Sequence, residues 1–132
     1  MLFTALAAAA IAVCPPPGQG ARHHCVHDGD TIWWQGEKIR LADIDTPELD
    51  GRCKAERELA LAARDRLIVL LGERRVRINR VGKDRYGRTL ARIGTVGDQL
   101  ISEGLATRWP RRKDWCTRSG AILTGTPSLN TP

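Results

Sequence analysis

A sustained helical repeat from Cys53 to Gly72 divides this chain of 132 residues, and the segments on either side are short and alternating. Leu59, Ala63, Leu67, Leu70 and Leu71 recur at three- and four-residue spacing and form one apolar stripe. Glu56 and Glu58 fall in the first turn, where the helix dipole favours negative charge, and Gly72 supplies a stop. Such a stripe has to be buried, and the flanking segments offer strands to bury it against. A strand near Cys25 leads to the β-type run Thr31-Ile32-Trp33-Trp34, a turn at Gln35-Gly36-Glu37 and an alternating strand from Lys38 to Ile44. Trp33 and Trp34 point to opposite faces, one to the core and one partly to solvent. Beyond the helix, Arg74 to Val81 alternates, Gly82-Lys83-Asp84-Arg85-Tyr86-Gly87 turns, and Arg88 to Thr95 returns. A short helix capped by Asp98 then runs through Glu103 and is closed by Gly104. This order predicts an α+β, mainly β domain. It is a small five-stranded barrel, led by the OB-fold, with a long helix after the third strand and a short C-terminal helix.

The ends differ in composition. Leu2 to Val13 is nearly unbroken apolar and meets Cys14-Pro15-Pro16-Pro17-Gly18, which stops any helix. The run is too short to cross a bilayer, which takes roughly 20 apolar residues. It has the length of a signal-peptide core, with small residues at Ala10 and Ala12 suited to cleavage, although no Lys or Arg precedes it. Export, to the periplasm or the medium, is the favoured reading; a disordered leader on a cytoplasmic protein is the alternative. Residues 1–22 are thus leader and Pro/Gly linker, 23–116 the folded domain, and 117–132 a Thr/Ser/Gly/Pro-rich disordered tail. Cys14, Cys25, Cys53 and Cys116 pair if the chain is exported, with three connectivities open, and stay free in the cytosol.

A net charge of +6 favours polyanionic partners, nucleic acid before anionic membrane, and the excess of Arg over Lys suits bidentate phosphate contacts. His23, His24, Cys25 and His27 invite a zinc reading, but the spacing is not that of a structural zinc site and no second Cys-x-x-Cys pair exists. A polar lead-in to the first strand is preferred. The chemically suggestive stretch is Asp43-Ile44-Asp45-Thr46-Pro47-Glu48, at a strand end. Pro47 keeps Thr46 extended, so Asp45, the Thr46 carbonyl and Glu48 can face one place. Hard oxygens beside a free carboxylate suit a divalent cation and a water to be activated.

Asp28-Gly29-Asp30-Thr31, then Arg40-Leu41 to Asp45-Thr46-Pro47-Glu48, then Asp84-Arg85-Tyr86-Gly87-Arg88 occur in an order that resembles the staphylococcal nuclease (thermonuclease) family. The resemblance extends from Cys25 to about Cys116. It implies an OB-fold barrel and calcium-dependent hydrolysis of DNA and RNA at the 5′ P–O bond, leaving 3′-phosphate ends. Asp30 and Asp45 match the family's calcium carboxylates, and Thr46 the residue that ligates through its main-chain carbonyl. Glu48 matches the proposed general base, and Arg40 and Arg88 the two phosphate-clamping arginines. Arg85 and Tyr86 stand where the family contacts a terminal phosphate. Cys53 and Trp115-Cys116 match a Cys before the helix and a Trp-Cys near the end in short bacterial relatives, which implies a Cys53–Cys116 disulfide in an oxidising compartment. His27, Asp43 and the tail depart from the pattern.

The resemblance implies a monomeric nuclease acting on DNA or RNA, with Ca2+ as cofactor and no stable protein partner or membrane span. A non-catalytic nucleic-acid-binding module on the same fold is the first alternative, though such modules usually lose the acidic and arginine positions kept here. A zinc- or disulfide-stabilised interaction domain around His23, His24, Cys25 and His27 is the second.

Overall fold

The computed structural model describes residues 10–73 and 75–117 and the strand at Ile122–Leu123. Most of the apolar leader and most of the predicted tail lie outside the described residues. Five strands precede the long helix: β1 (Ala12–Val13), β2 (Cys25–Asp28), β3 (Thr31–Trp34), β4 (Glu37–Leu41) and β5 (Ile44–Asp45). The helix α1 spans Lys54–Glu73 and is followed by β6 (Ile78–Lys83), β7 (Thr89–Ile93) and α2 (Val96–Ser102). The short strands β8 (Thr107–Arg108), β9 (Arg112–Lys113) and β10 (Ile122–Leu123) complete the chain.

Six strands form one sheet in the order β1-β2-β3-β4-β7-β6. The β3–β4 hairpin closes on Gln35 and Gly36, whose φ values of 47° and 88° match the two-residue turn that suits strand twist. β7 inserts parallel to β4 and antiparallel to β6, so the β4-to-β7 connection carries β5, α1 and the edge strand β6. The ladder ends at β1 and β6, so hydrogen bonds do not close the predicted five-stranded barrel among the described residues. β5 pairs instead with β8, and β9 with β10 inside the stretch expected to be a structureless tail.

Alternation decides what is buried. Ile32, Ile39 and Leu41 point inward and are fully buried, as are Ala91 of β7 and Val26 of β2. α1 covers this face with Ala60, Ala63, Leu67, Leu70 and Leu71, and α2 adds Leu100. Each such Leu or Ile contributes about 1.5–3 kcal/mol of burial. Leu59, placed on the predicted stripe, is only half-buried, and Ala60 takes the inward position. α1 also runs one residue past Gly72. Asp98 lies in the first turn of α2 and not at its cap, which is Thr95; packing of Val96 and Gly97 sets the helix start earlier than the polar signal suggested. Gly104 (φ 76°) returns its N–H to the Ile101 carbonyl and ends the turn.

The end of the apolar N-terminal run joins the sheet. Ile11 packs in the core, β1 pairs parallel to β2, and Cys14 is bonded to Cys25. His24 packs against Trp34, so Cys25 and His24 are both engaged in structure and not in a zinc cluster. Trp34 packs on the core while Trp33 faces out beneath the Lys38 ammonium. No described helix is long and apolar enough to cross a membrane.

Candidate active site

The site grows from the turn between β2 and β3. The Asp28 carboxylate accepts the Asp30 N–H at 3.1 Å and fixes the bend. Gly29 sits in its middle, where a Cβ would lie 2.8 Å from the Ala63 side chain and 2.9 Å from that of Thr46. Glycine therefore lets the turn seat on α1 and against the acidic corner at once. Asp30 Oδ2 then accepts the Thr46 N–H at 3.3 Å, bridging sixteen residues of sequence. The corner is held from its other side by β8, and the Trp109 N–H donates to the Asp43 carbonyl at 3.0 Å.

Arg40 is the centre of the arrangement. Its Nη1 donates to the Leu41 and Ile44 carbonyls, the latter at 3.0 Å. Its Nη2 lies 3.4 Å from Asp30 and 3.6 Å from Asp45, so one guanidinium holds both carboxylates. Across the cavity, Arg88 is aimed by Asp84, whose carboxylate accepts Arg88 Nε at 2.6 Å and the Tyr86 and Arg88 N–H groups at 2.9 Å. Arg85 and Arg88 both lie over the Tyr86 ring, and Arg40 lies over Trp109.

Asp30, Arg40, Asp45, Glu48, Tyr86 and Arg88 line one cavity of about 600 Å³. Thr46 lines a neighbouring cavity of about 190 Å³, which shares Asp45 and Glu48 with the first. Arg85 does not line the large cavity and reaches it only through Tyr86, to whose hydroxyl it donates. Cys53 and Cys116 are bonded, with Cα atoms 5.9 Å apart, and stand beside the smaller cavity near Trp115.

Four further groups were not assigned from sequence. Asp28, which the resemblance motif includes without a role, is buried and lines the large cavity. Trp109 and Arg112 lie there too, and the basic-aromatic run from Arg108 to Cys116 was their only signal. Glu56, read as a favourable first-turn charge, is 7% exposed and points into the loop after Pro47. Its carboxylate accepts the Glu48 N–H at 3.1 Å and the Arg52 N–H at 3.3 Å. A Cβ on Gly51 would come within 2.6 Å of it, so the loop is wrapped tightly around this one side chain.

The electrostatics follow from crowding. Burial, then the charge of Asp30, pushes the Asp28 carboxyl up to about 8. Burial likewise raises Asp45, with Asp30 adding to it and Arg40 opposing, and raises Glu48, with Asp30 and Asp45 next in effect. Burial, then Arg22 and Lys38, lowers the His27 imidazole. Burial is the first cause of each carboxyl's shift, and neighbouring carboxylates add to it. Among the described residues no three His, Cys, Asp or Glu side chains converge as a ready-made metal cage. The oxygens gathered at Arg40 are those of the Asp30 and Asp45 carboxylates; Thr46 stands beside them through its N–H bond to Asp30, and its buried hydroxyl has no hydrogen-bond partner among the described residues. Hard oxygen donors of this kind fit a hard divalent cation.

The profile of the family described as "Staphylococcal nuclease homologue" matches residues 38–120, well over half of the chain. The chain belongs to that family. Two curated relatives are similar to this staphylococcal nuclease homologue. An "Uncharacterized endonuclease" of Haemophilus influenzae is 30% identical over 115 residues, covering 80% of this chain and 58% of the relative. A "Thermonuclease" of Staphylococcus intermedius is 38% identical over 87 residues, covering 61% and 51% respectively. The nuclease homologue thus spans a little over half the length of each. The matched region contains Arg40, the acidic corner, Glu56 and the Asp84–Arg88 turn; the Asp28–Asp30 turn precedes it.

Proposed function

We propose that this chain is a calcium-dependent nuclease that hydrolyses DNA or RNA at the 5′ P–O bond and leaves 3′-phosphate ends. The observation that carries the reading is Arg40 held between Asp30 and Asp45 in the same cavity as Glu48 and Arg88. Both relatives carry nuclease names, which supports it.

Asp30, Asp45 and the Thr46 carbonyl would hold the cation. When bound, it would neutralise part of the phosphate charge and favour attack by water. The rest falls to the protein. Arg40 and Arg88 offer planar guanidinium forks that bind the non-bridging oxygens of the scissile phosphate. Their partners Asp30, Asp45 and Asp84 keep both forks aimed before substrate arrives. Glu48, with its pKa raised by burial and then by the charges of Asp30 and Asp45, is a stronger base than a solvated carboxylate. The water oxygen bonds to phosphorus, its proton passes to Glu48, and the P–O5′ bond breaks. The 5′-oxygen leaves as an alcohol after taking a proton from solvent. Exposed Tyr86, with Arg85 stacked on it, meets the next phosphate at the cavity rim.

Every proposed group comes from one chain, so a monomer suffices. Two disulfides among the described residues favour an oxidising compartment, hence export. The test is to incubate end-labelled single-stranded DNA with purified protein, with calcium or with chelator, and to identify the new ends. Calcium-restored cutting with 3′-phosphate ends is expected. Cutting that survives chelation sinks the cation's role, and binding without cutting leaves the non-catalytic module.

A further inference from the structure

We propose that the outward face of β7 and β6 is a second binding surface, a cationic track that carries the flanking backbone of a single-stranded polynucleotide away from the cavity. The inference rests on the nuclease reading of the site. Strand alternation makes the case. In β7 the side chains of Thr89, Ala91 and Ile93 are buried, so Arg88, Leu90 and Arg92 share the opposite face. Leu90 is paired in register with Arg40 and lines a cavity with Arg40, Arg88 and Trp109, which joins this face to the active site. Arg92 lies four residues beyond Arg88, about 13 Å along the strand.

The neighbouring strand extends the same row. Asn79 is directly opposite Arg92, and the Gly94 N–H donates to the Arg77 carbonyl at 3.2 Å, continuing the ladder past the end of β6. Val76 and Ile78 pack inward, so Arg77 and Asn79 face outward with Arg92. Arg77 and Arg92 are exposed, and neither side chain makes an ion pair or hydrogen bond among the described residues. Their neighbours behave differently. Arg80, on the inward side of the bulge, is clamped by Glu37, and Arg88 by Asp84. The outward positions Lys38, Arg40, Leu90, Arg92, Asn79 and Arg77 include no carboxylate. Two unpaired guanidinium groups on neighbouring strands, continuous through Leu90 with the cavity that holds Arg40 and Arg88, suit successive phosphates of one polynucleotide strand and ignore its bases.

The test compares the Arg77→Gln/Arg92→Gln double variant with wild type on a dinucleotide and on a long oligothymidylate. KM for the long substrate should rise several-fold with dinucleotide cleavage unchanged. Each lost phosphate contact should also flatten the salt dependence of single-strand binding by roughly 0.7 in log–log slope, so about 1.4 for the pair. An Arg77→Lys/Arg92→Lys variant should restore most of both. Anisotropy of the labelled oligomer, measured with chelator present, reads the track even in a chain that does not cut, which separates this inference from the nuclease reading. An unchanged salt slope and long-substrate affinity, or an equal loss on the dinucleotide, overturns it.

Discussion

The buried Glu56 carboxylate accepts the main-chain N–H of Glu48 at 3.1 Å, so the position of one acid is set by another eight residues later. The same carboxylate accepts the Arg52 N–H, while the Arg57 guanidinium donates to the Gly51 carbonyl at 2.9 Å. Helix α1, which carries none of the proposed chemistry, thereby reaches the site through its first turn. Glu56→Ala leaves two N–H groups without their acceptor, at about 1–3 kcal/mol each where they remain buried. Melting temperature should fall, and kcat should fall further than KM rises. If kcat survives the loss of stability, the loop does not need this anchor.

Arg40→Ala and Arg88→Ala should each lower kcat by about 10²–10³-fold, the usual result of removing one preorganised donor from a transition-state site. Arg40→Lys should recover little, because one ammonium cannot span the Leu41 and Ile44 carbonyls and two carboxylates together. Steady-state kinetics on single-stranded DNA decide it, and near-normal turnover in either alanine variant contradicts the phosphate-clamp role.

Acid stability should depend on Glu37, which joins three strands. Its carboxylate pairs with Arg80 of β6 and accepts the Thr89 hydroxyl of β7 at 2.8 Å. The Arg80 hydrogen bonds, followed by that of Thr89, hold its pKa at about 2 against an ordinary 4.5. A depressed folded-state pKa gives stability that is fully present above about 4.5 and is lost as pH falls through about 2. Glu37→Gln should flatten that part of the denaturation curve measured between those limits. An unchanged acid limb would mean the clamp contributes nothing.

Reduction should loosen the fold unequally. The Cys53–Cys116 bridge closes a sequence separation of 63 residues and Cys14–Cys25 one of 11. Loop-closure entropy gives about 4 kcal/mol for the first and about 3 kcal/mol for the second. Cys53→Ser/Cys116→Ser should therefore cost more in urea denaturation than Cys14→Ser/Cys25→Ser. Alkylation of unreduced protein should leave its mass unchanged; labelling of all four thiols would refute both bridges.

What the sequence by itself determined is local. The β-type run Thr31–Trp34, the return strand expected over Arg88 to Thr95 and found over Thr89–Ile93, the helix expected from Cys53 to Gly72 and the turn at Asp84–Gly87 are each written in a few neighbouring residues, because period and turn chemistry act over that range. The order of the acidic and arginine motifs also determined the family. Only tertiary structure decided that Asp30 meets Thr46, since that contact needs Gly29 seated on Ala63 of a helix far along the chain. Only it turned Glu56 inward to Glu48, where an exposed first-turn charge would have looked the same in sequence. The pairing of β1 with β2 and the open edges of the sheet were decided there too. Each depends on which distant surfaces meet, and although alternation marks the face to be buried, only the packed chain decides what covers it.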